Sequence, residues 1–112
     1  MDSHKNDKYF AVKIIENINA IQEYILDKTY EQFISDNILV DAVMFRFVQL
    51  IENINNVSDD FKKNNKHIPW GEIVGFRNGI VHEYGKTDFL IVYETAIQDL
   101  NDLKTVFRQL IQ

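Results

Sequence analysis

The sequence predicts an all-α fold, an antiparallel up-down bundle of about four main helices joined by short helical turns. Three observations carry that reading. Apolar residues recur at three- and four-residue spacing through most of the chain. Gly and Pro are scarce, four and one in 112 residues, which favours long helices over a turn-rich β fold. The stretches between the periodic segments are short, which favours antiparallel neighbours. A hydrophobic share of 46% suffices for a packed core. A chain of 112 residues holds one such core, so residues 1–112 are read as a single domain.

The first helix is expected from about Asp7 to Asp27, with Ala11, Ile14, Ile15, Ile18, Ile21 and Ile25 on one face. Thr29 to Asp36 reads as a connector or one short helical turn. Asp36 or Asn37 caps the second long helix, whose stripe is Val40, Val43, Met44, Phe47, Leu50, Ile51 and Ile54. Ser58 is placed to cap a short turn over Asp59-Asp60-Phe61, and Lys62 to Lys66 is expected to be a solvated loop. Ile68-Pro69-Trp70 opens the third long helix, with Pro69 at the first helical position, where its missing N–H has no partner to lose. That helix is expected to end near Tyr84-Gly85, with Gly85 as a left-handed cap. Thr87 or Asp88 then caps one last helix with the stripe Phe89, Tyr93, Ala96, Ile97, Leu100, Leu103, Phe107 and Leu110.

Composition narrows the function. With no cysteine there is neither a disulfide framework nor a thiolate metal site, which suits a reducing compartment. No apolar run approaches the roughly 20 residues that span a bilayer, and the N-terminus is polar with no signal-peptide core. A cytoplasmic protein with no membrane contact is the expectation. No His/Asp/Glu set has zinc-ligand spacing and no Gly-rich phosphate loop is present, so neither a metal nor a cofactor is expected. The net charge of −5 argues against a generic nucleic-acid binder, because binding along a phosphate backbone leaves a basic footprint. An RNA activity would have to rest on a local site or on a positive cleft assembled by oligomerisation, with Arg77, Lys86 and Lys66 as its charges.

One stretch is chemically unusual. Phe76-Arg77-Asn78-Gly79-Ile80-Val81-His82-Glu83-Tyr84 places Arg, Asn, His and Tyr within two and a half turns of an otherwise apolar helix. Asn78 and His82 share a face, four residues apart. Arg77 and His82 diverge by roughly 140° at about 100° per residue, so a second copy of the helix is one way to bring such groups together. Gly79 costs the helix about 1 kcal/mol against Ala, which close approach of another backbone or of a substrate would explain. Read blandly, His82 is a surface or hydrogen-bonded residue, Arg77 pairs with Glu83, Asp88 or Glu52, and Tyr84 packs at the core edge. His4 and His67 lie in a polar tail and a loop, and neither is assigned to catalysis.

Arg77-x4-His82-x-Tyr84 resembles the RX4HXY motif of the HepT toxins of the HEPN superfamily, which are partnered by MntA nucleotidyltransferases. The run from Ile68-Pro69-Trp70 to Phe76-Arg77-Asn78 is similar to the family's lead-in. Asp41-Ala42-Val43, Asp88, Tyr93-Glu94 and Asp99-Leu100 also match, so the resemblance is strongest from about Asp41 onward. Ile51-Glu52-Asn53 stands where many members have Gly-Glu-Ala. Keeping the Glu leaves a partner for Arg77 or His82. Gly79 replaces a residue that is bulkier in many members.

The resemblance implies a HEPN-like bundle, a homodimer, and metal-independent cleavage of RNA by a toxin of a type VII toxin–antitoxin pair. Attack by a ribose 2′-OH on the neighbouring phosphate needs a base, an acid and a cation. Imidazole titrates near pH 6.5 and serves as either acid or base. One motif His per chain then calls for two chains. Arg77 has the fork that suits phosphate oxygens, and Asn78 is the supporting hydrogen-bonding group. By the same resemblance Tyr84 is the acceptor for AMP transferred from ATP by an MntA-like antitoxin. The alternative is a non-catalytic HEPN dimer that serves a nucleotidyltransferase as adaptor or nucleotide-binding partner, which would have no need of Arg77 and His82 together.

Overall fold

The computed structural model describes residues 4–111, with side chains from residue 6. The side chain of His4 and the polar start of the chain therefore lie outside the described residues. Within them are seven α-helices, one 3₁₀ turn and no strand: α1 (His4–Tyr24), α2 (Tyr30–Ile34), α3 (Asn37–Asn55), α4 (Asp59–Lys63), α5 (Trp70–His82), the turn Tyr84–Lys86, α6 (Phe89–Gln98) and α7 (Leu100–Arg108). The all-helical bundle expected from periodicity is what forms, and no helix among the described residues is long and apolar enough to cross a membrane.

The centre of the bundle is α1 packed on α3. On α1 the residues Ala11, Ile14, Ile18 and Ile21 are buried, as is Ile25 just past its end, and on α3 the whole expected stripe from Val40 to Ile54 is buried. Each of these side chains larger than Ala contributes about 1.5–3 kcal/mol when fully removed from water. The two helices run antiparallel. Asp7 near the start of α1 meets Ser58 just past the end of α3, and Asn17 accepts from Arg46 midway along at 3.3 Å. α7 lies along α1, α6 bridges α2 and α1, and α5 packs on α3, with Phe76 against Phe47 at 5.2 Å between ring centres.

Capping followed local chemistry. Thr29 forms a complete capping box with Gln32 for α2, Asp36 caps α3 through the Leu39 N–H, and Ser58 caps α4 through the Phe61 N–H. Four expectations need correction. Pro69 is the residue before α5 rather than its first residue, because the chain makes a tight turn there, with Trp70 N–H donating to Ile68 O at 2.9 Å. Lys62 to Lys66 is not a plain solvated loop. Lys62 and Lys63 close α4, and Asn65 is buried with its amide donating to Phe61 O at 2.9 Å. Gly85 is no left-handed cap, since no glycine among the described residues has positive φ. Glu83 ends α5 in an extended-side conformation, φ −138° and ψ 45°, and the chain tightens into the 3₁₀ turn that carries Tyr84.

The fourth correction concerns the last helix, which is broken at Asp99, where φ is −102°. The break re-aims the chain from α2 toward α1. It leaves Ile97 half exposed while Val92, outside the expected stripe, is fully buried. The only left-handed non-glycine residue described is Asp27, φ 59°, which turns the chain out of α1. Asp tolerates that region better than most residues.

The link between Asp7 and Ser58 was invisible to periodicity. Asp7 is 2% exposed and accepts from the Ser58 N–H at 2.8 Å and from Ser58 Oγ at 2.6 Å. Removing the carboxylate strands two buried donors, each costing about 1–3 kcal/mol. Asp7→Ala is expected to destabilise the fold by about 2–6 kcal/mol on that account. A shift of the urea midpoint to lower denaturant at unchanged slope is the measurement that checks it.

Candidate active site

The motif sits on α5 and the turn after it, and α3 supplies its partners. Arg77 is partly buried, and its Nη2 donates to Glu52 Oε1 at 3.0 Å. Its Nη1 donates to Asn78 Oδ1 at 3.2 Å. Its Nε is shielded from solvent with no hydrogen-bond partner among the described residues. Glu52, one of three partners open in the sequence, is thus the one that pairs. Tyr84 Oη donates to Asp41 Oδ1 in a short contact, and its ring packs edge-on against Phe89 at 6.0 Å. Asp41 and Glu52 are eleven residues apart on α3, which returns them to within about 20° of one direction. One row of α3 therefore holds both Arg77 and Tyr84.

His82 is the last residue of α5 and is exposed. None of the bonds made by Arg77, Asn78 or Tyr84 reaches it. At about 100° per residue His82 lies on the same face as Gly71, Gly75 and Gly79. A Cβ added at any of the three would meet nothing within 4 Å. Within this chain, then, no backbone approaches Gly79. Lys66 and Lys86 are both exposed, one before α5 and one after it. The helix between them is about 20 Å long, so only Lys86 belongs near Tyr84. An open apolar groove of about 780 Å³, walled by Leu50, Ile73, Phe76, Ile91 and Leu103, lies beside the motif, and Arg77, His82 and Tyr84 do not line it. His67 lies on the rim of that groove, away from the motif. Among the described residues no cluster of His, Asp or Glu has metal-ligand geometry.

A model of the HepT-like ribonuclease family matches residues 14–110. The chain belongs to the HepT-like ribonuclease family. Among curated relatives, a Thermococcus cleftensis protein named "Probable ribonuclease HepT" is 30% identical over 108 residues, 96% of each chain. A Methanocaldococcus jannaschii protein whose name gives it a provisional RNase assignment is 29% identical over 105 residues, 94% of this chain and 90% of its own. A second from that organism, whose name pairs gamma-glutamylcyclotransferase with a provisional RNase, is 33% identical over 100 residues. That match takes in 89% of this chain but only 45% of the relative. No solved structure matches this HepT-like chain.

The Asp41 contact is the feature of this HepT-like site that sequence reasoning missed. The sequence offers Asp41 as part of a matching triplet, and nothing in it ties that residue to a tyrosine 43 positions away. The contact changes the chemistry of the phenol. Burial, then the Asp41 hydrogen bond, then the Asp41 negative charge push the Tyr84 hydroxyl up from 10.0 to about 12. Because the folded value is raised, its contribution to stability is intact below pH 10 and fades as pH rises through about 12. Asp41→Asn removes the charge but not the burial. An ultraviolet difference titration against Tyr84→Phe is expected to show the Tyr84 midpoint falling from about 12 toward 10 without reaching it. A midpoint unmoved by the substitution would mean that the carboxylate does not face the phenol in solution.

Proposed function

We propose that this chain is the toxin endoribonuclease of a two-component pair. In this reading it cleaves RNA without a metal ion through a site shared by two chains, and is neutralised by AMP attached to Tyr84. The observation that carries the reading is the complete Arg77-x4-His82-x-Tyr84 set on one helix and its following turn, in a member of a ribonuclease family.

Dimerisation is supported by what surrounds the motif. Ile38 is 84% exposed and Phe45 58% exposed. Both lie within about 60° of Asp41 on α3, on the row that also holds Glu52. Val81, four residues from Arg77, is 45% exposed. Large apolar side chains in water around a polar site mark a contact surface. The bare backbone along Gly71, Gly75 and Gly79 lets a second helix come close on the face that ends at His82. Two copies related by a two-fold axis then supply two imidazoles, one to take the 2′-OH proton and one to protonate the departing 5′-oxygen. Arg77 stabilises the charge that builds on the phosphorane. Asn78 orients the guanidinium through the bond it already makes to Nη1. AMP on Tyr84 adds bulk and negative charge beside these groups, opposing the approach of an RNA phosphate.

A second reading is favoured by one observation: Arg77 is ion-paired to Glu52. In that reading the pair is a structural clamp, and the chain is a non-catalytic HEPN dimer that serves a nucleotidyltransferase as adaptor or nucleotide-binding partner.

Activity separates the two. With purified chain and RNA, cleavage is expected to persist in chelator and to leave 2′,3′-cyclic phosphate ends. His82→Ala and Arg77→Ala are each expected to slow it by about 10²–10⁴. Folded wild-type protein that leaves a broad RNA panel intact favours the adaptor reading. Phe45→Glu places like charges at the proposed interface. Light scattering is expected to show the wild-type dimer mass halved, with cleavage lost in parallel. An active monomer would end the shared-site account.

A further inference from the structure

Tyr84 is presented to a reaction in a particular way. Its ring is held against Phe89, its hydroxyl proton points at Asp41, and the residue is 39% exposed. Asp41 is itself exposed on α3. Among the described residues it has no Lys, Arg or His in ion-pair contact, and Tyr84 is the partner its side chain holds. The helix cap is Asp36, so Asp41 is not needed there. A neutral amide would tie the two elements together as well, and only a carboxylate can also take the proton away.

We propose that Asp41 is the general base that accepts the Tyr84 hydroxyl proton as that oxygen is adenylylated, an inference that rests on the reading of Tyr84 as the AMP acceptor. The Tyr84 Oη lone pair attacks the α-phosphorus of ATP, and the new Oη–P bond forms as the bond from that phosphorus to the bridging oxygen of the β-phosphate breaks. Pyrophosphate leaves with the electron pair. The phenol proton passes to Asp41 Oδ1 and from there to water, so the products are adenylyl-Tyr84, pyrophosphate and one proton.

A base is needed because the free phenolate is scarce. With the hydroxyl titrating at about 12, roughly one Tyr84 in 10⁵ is ionised at pH 7. Transferring the proton during attack removes that penalty.

The test uses the whole chain with its MntA-type nucleotidyltransferase, ATP and Mg²⁺. Initial rates of adenylate addition are followed by intact mass and the site by peptide mapping, across a range of pH. Wild type is expected to be modified at Tyr84. Asp41→Asn is expected to be slower by about 10²–10⁴, with a residual rate that climbs about tenfold per pH unit as phenolate forms. Asp41→Glu recovers part of the loss. Circular dichroism checks that the variants fold, and the partial recovery in Asp41→Glu separates loss of the base from loss of the fold. Asp41→Asn modified at Tyr84 as fast as wild type, with the same profile, overturns the base and leaves the acceptor standing. Wild type unmodified at Tyr84 overturns the acceptor and the base together.

Discussion

The rotation of α3 about its own axis is the constraint on which the motif depends. Val43, Phe47, Leu50 and Ile54 are almost wholly buried toward the bundle centre. Turning the helix by even one residue's angle would bring several of them into water, at about 1.5–3 kcal/mol each. With that face fixed, the opposite row is fixed too. Asp41 and Glu52 stand on that row, some 16 Å apart along the axis, and each takes hold of one group from the segment carrying α5. Glu52 meets Arg77 and Asp41 meets Tyr84. As α3 is followed backward its partners advance along the chain, so the two contacts also set α5 antiparallel to it. Core packing that never touches the motif thus decides where its cation and its phenol lie.

Much of this was legible in the residues because it is local or periodic. The α1 and α3 stripes announce their helices, and Thr29, Asp36 and Ser58 act as caps for the N–H three residues on. What was hidden shares one property: it depends on residues far apart in sequence, or on a change of direction that the pattern does not register. Asp7 reads like any polar residue at a helix start, yet its acceptors face a serine 51 positions on. The stripe from Phe89 to Leu110 stays in helical phase across Asp99, so the break there leaves no mark on spacing. Gly85 has the composition of a left-handed cap, but the chain closes α5 two residues earlier. At the site the motif string was readable, and so was Glu52 as one candidate partner. The Asp41–Tyr84 contact was not.

The charge balance at the site has a simple consequence for the proposed chemistry. Two carboxylates, Asp41 and Glu52, stand against one guanidinium, in a chain whose net charge is −5. A phosphate that reaches Arg77 competes with Glu52 for it. The pair is only partly buried, so its own strength is modest and salt weakens it. Of the five N–H donors of Arg77, one is on Glu52 and one on Asn78. With Nε–H shielded, that leaves one N–H on each of Nη1 and Nη2 for a phosphate oxygen that competes with Glu52.

α5 is poorly fitted to stand alone. Three glycines in a helix of 13 residues cost it about 3 kcal/mol against alanine at the same places. Beyond Trp70, which reaches Phe107 of α7, it leans on α3 while the glycine side faces open space. Such an element detaches by local opening well before the whole fold gives way. Its amides then exchange with solvent deuterium sooner than those of α1 and α3. In an unaccompanied chain, the segment bearing the motif is accordingly more open to a protease than α1 or α3.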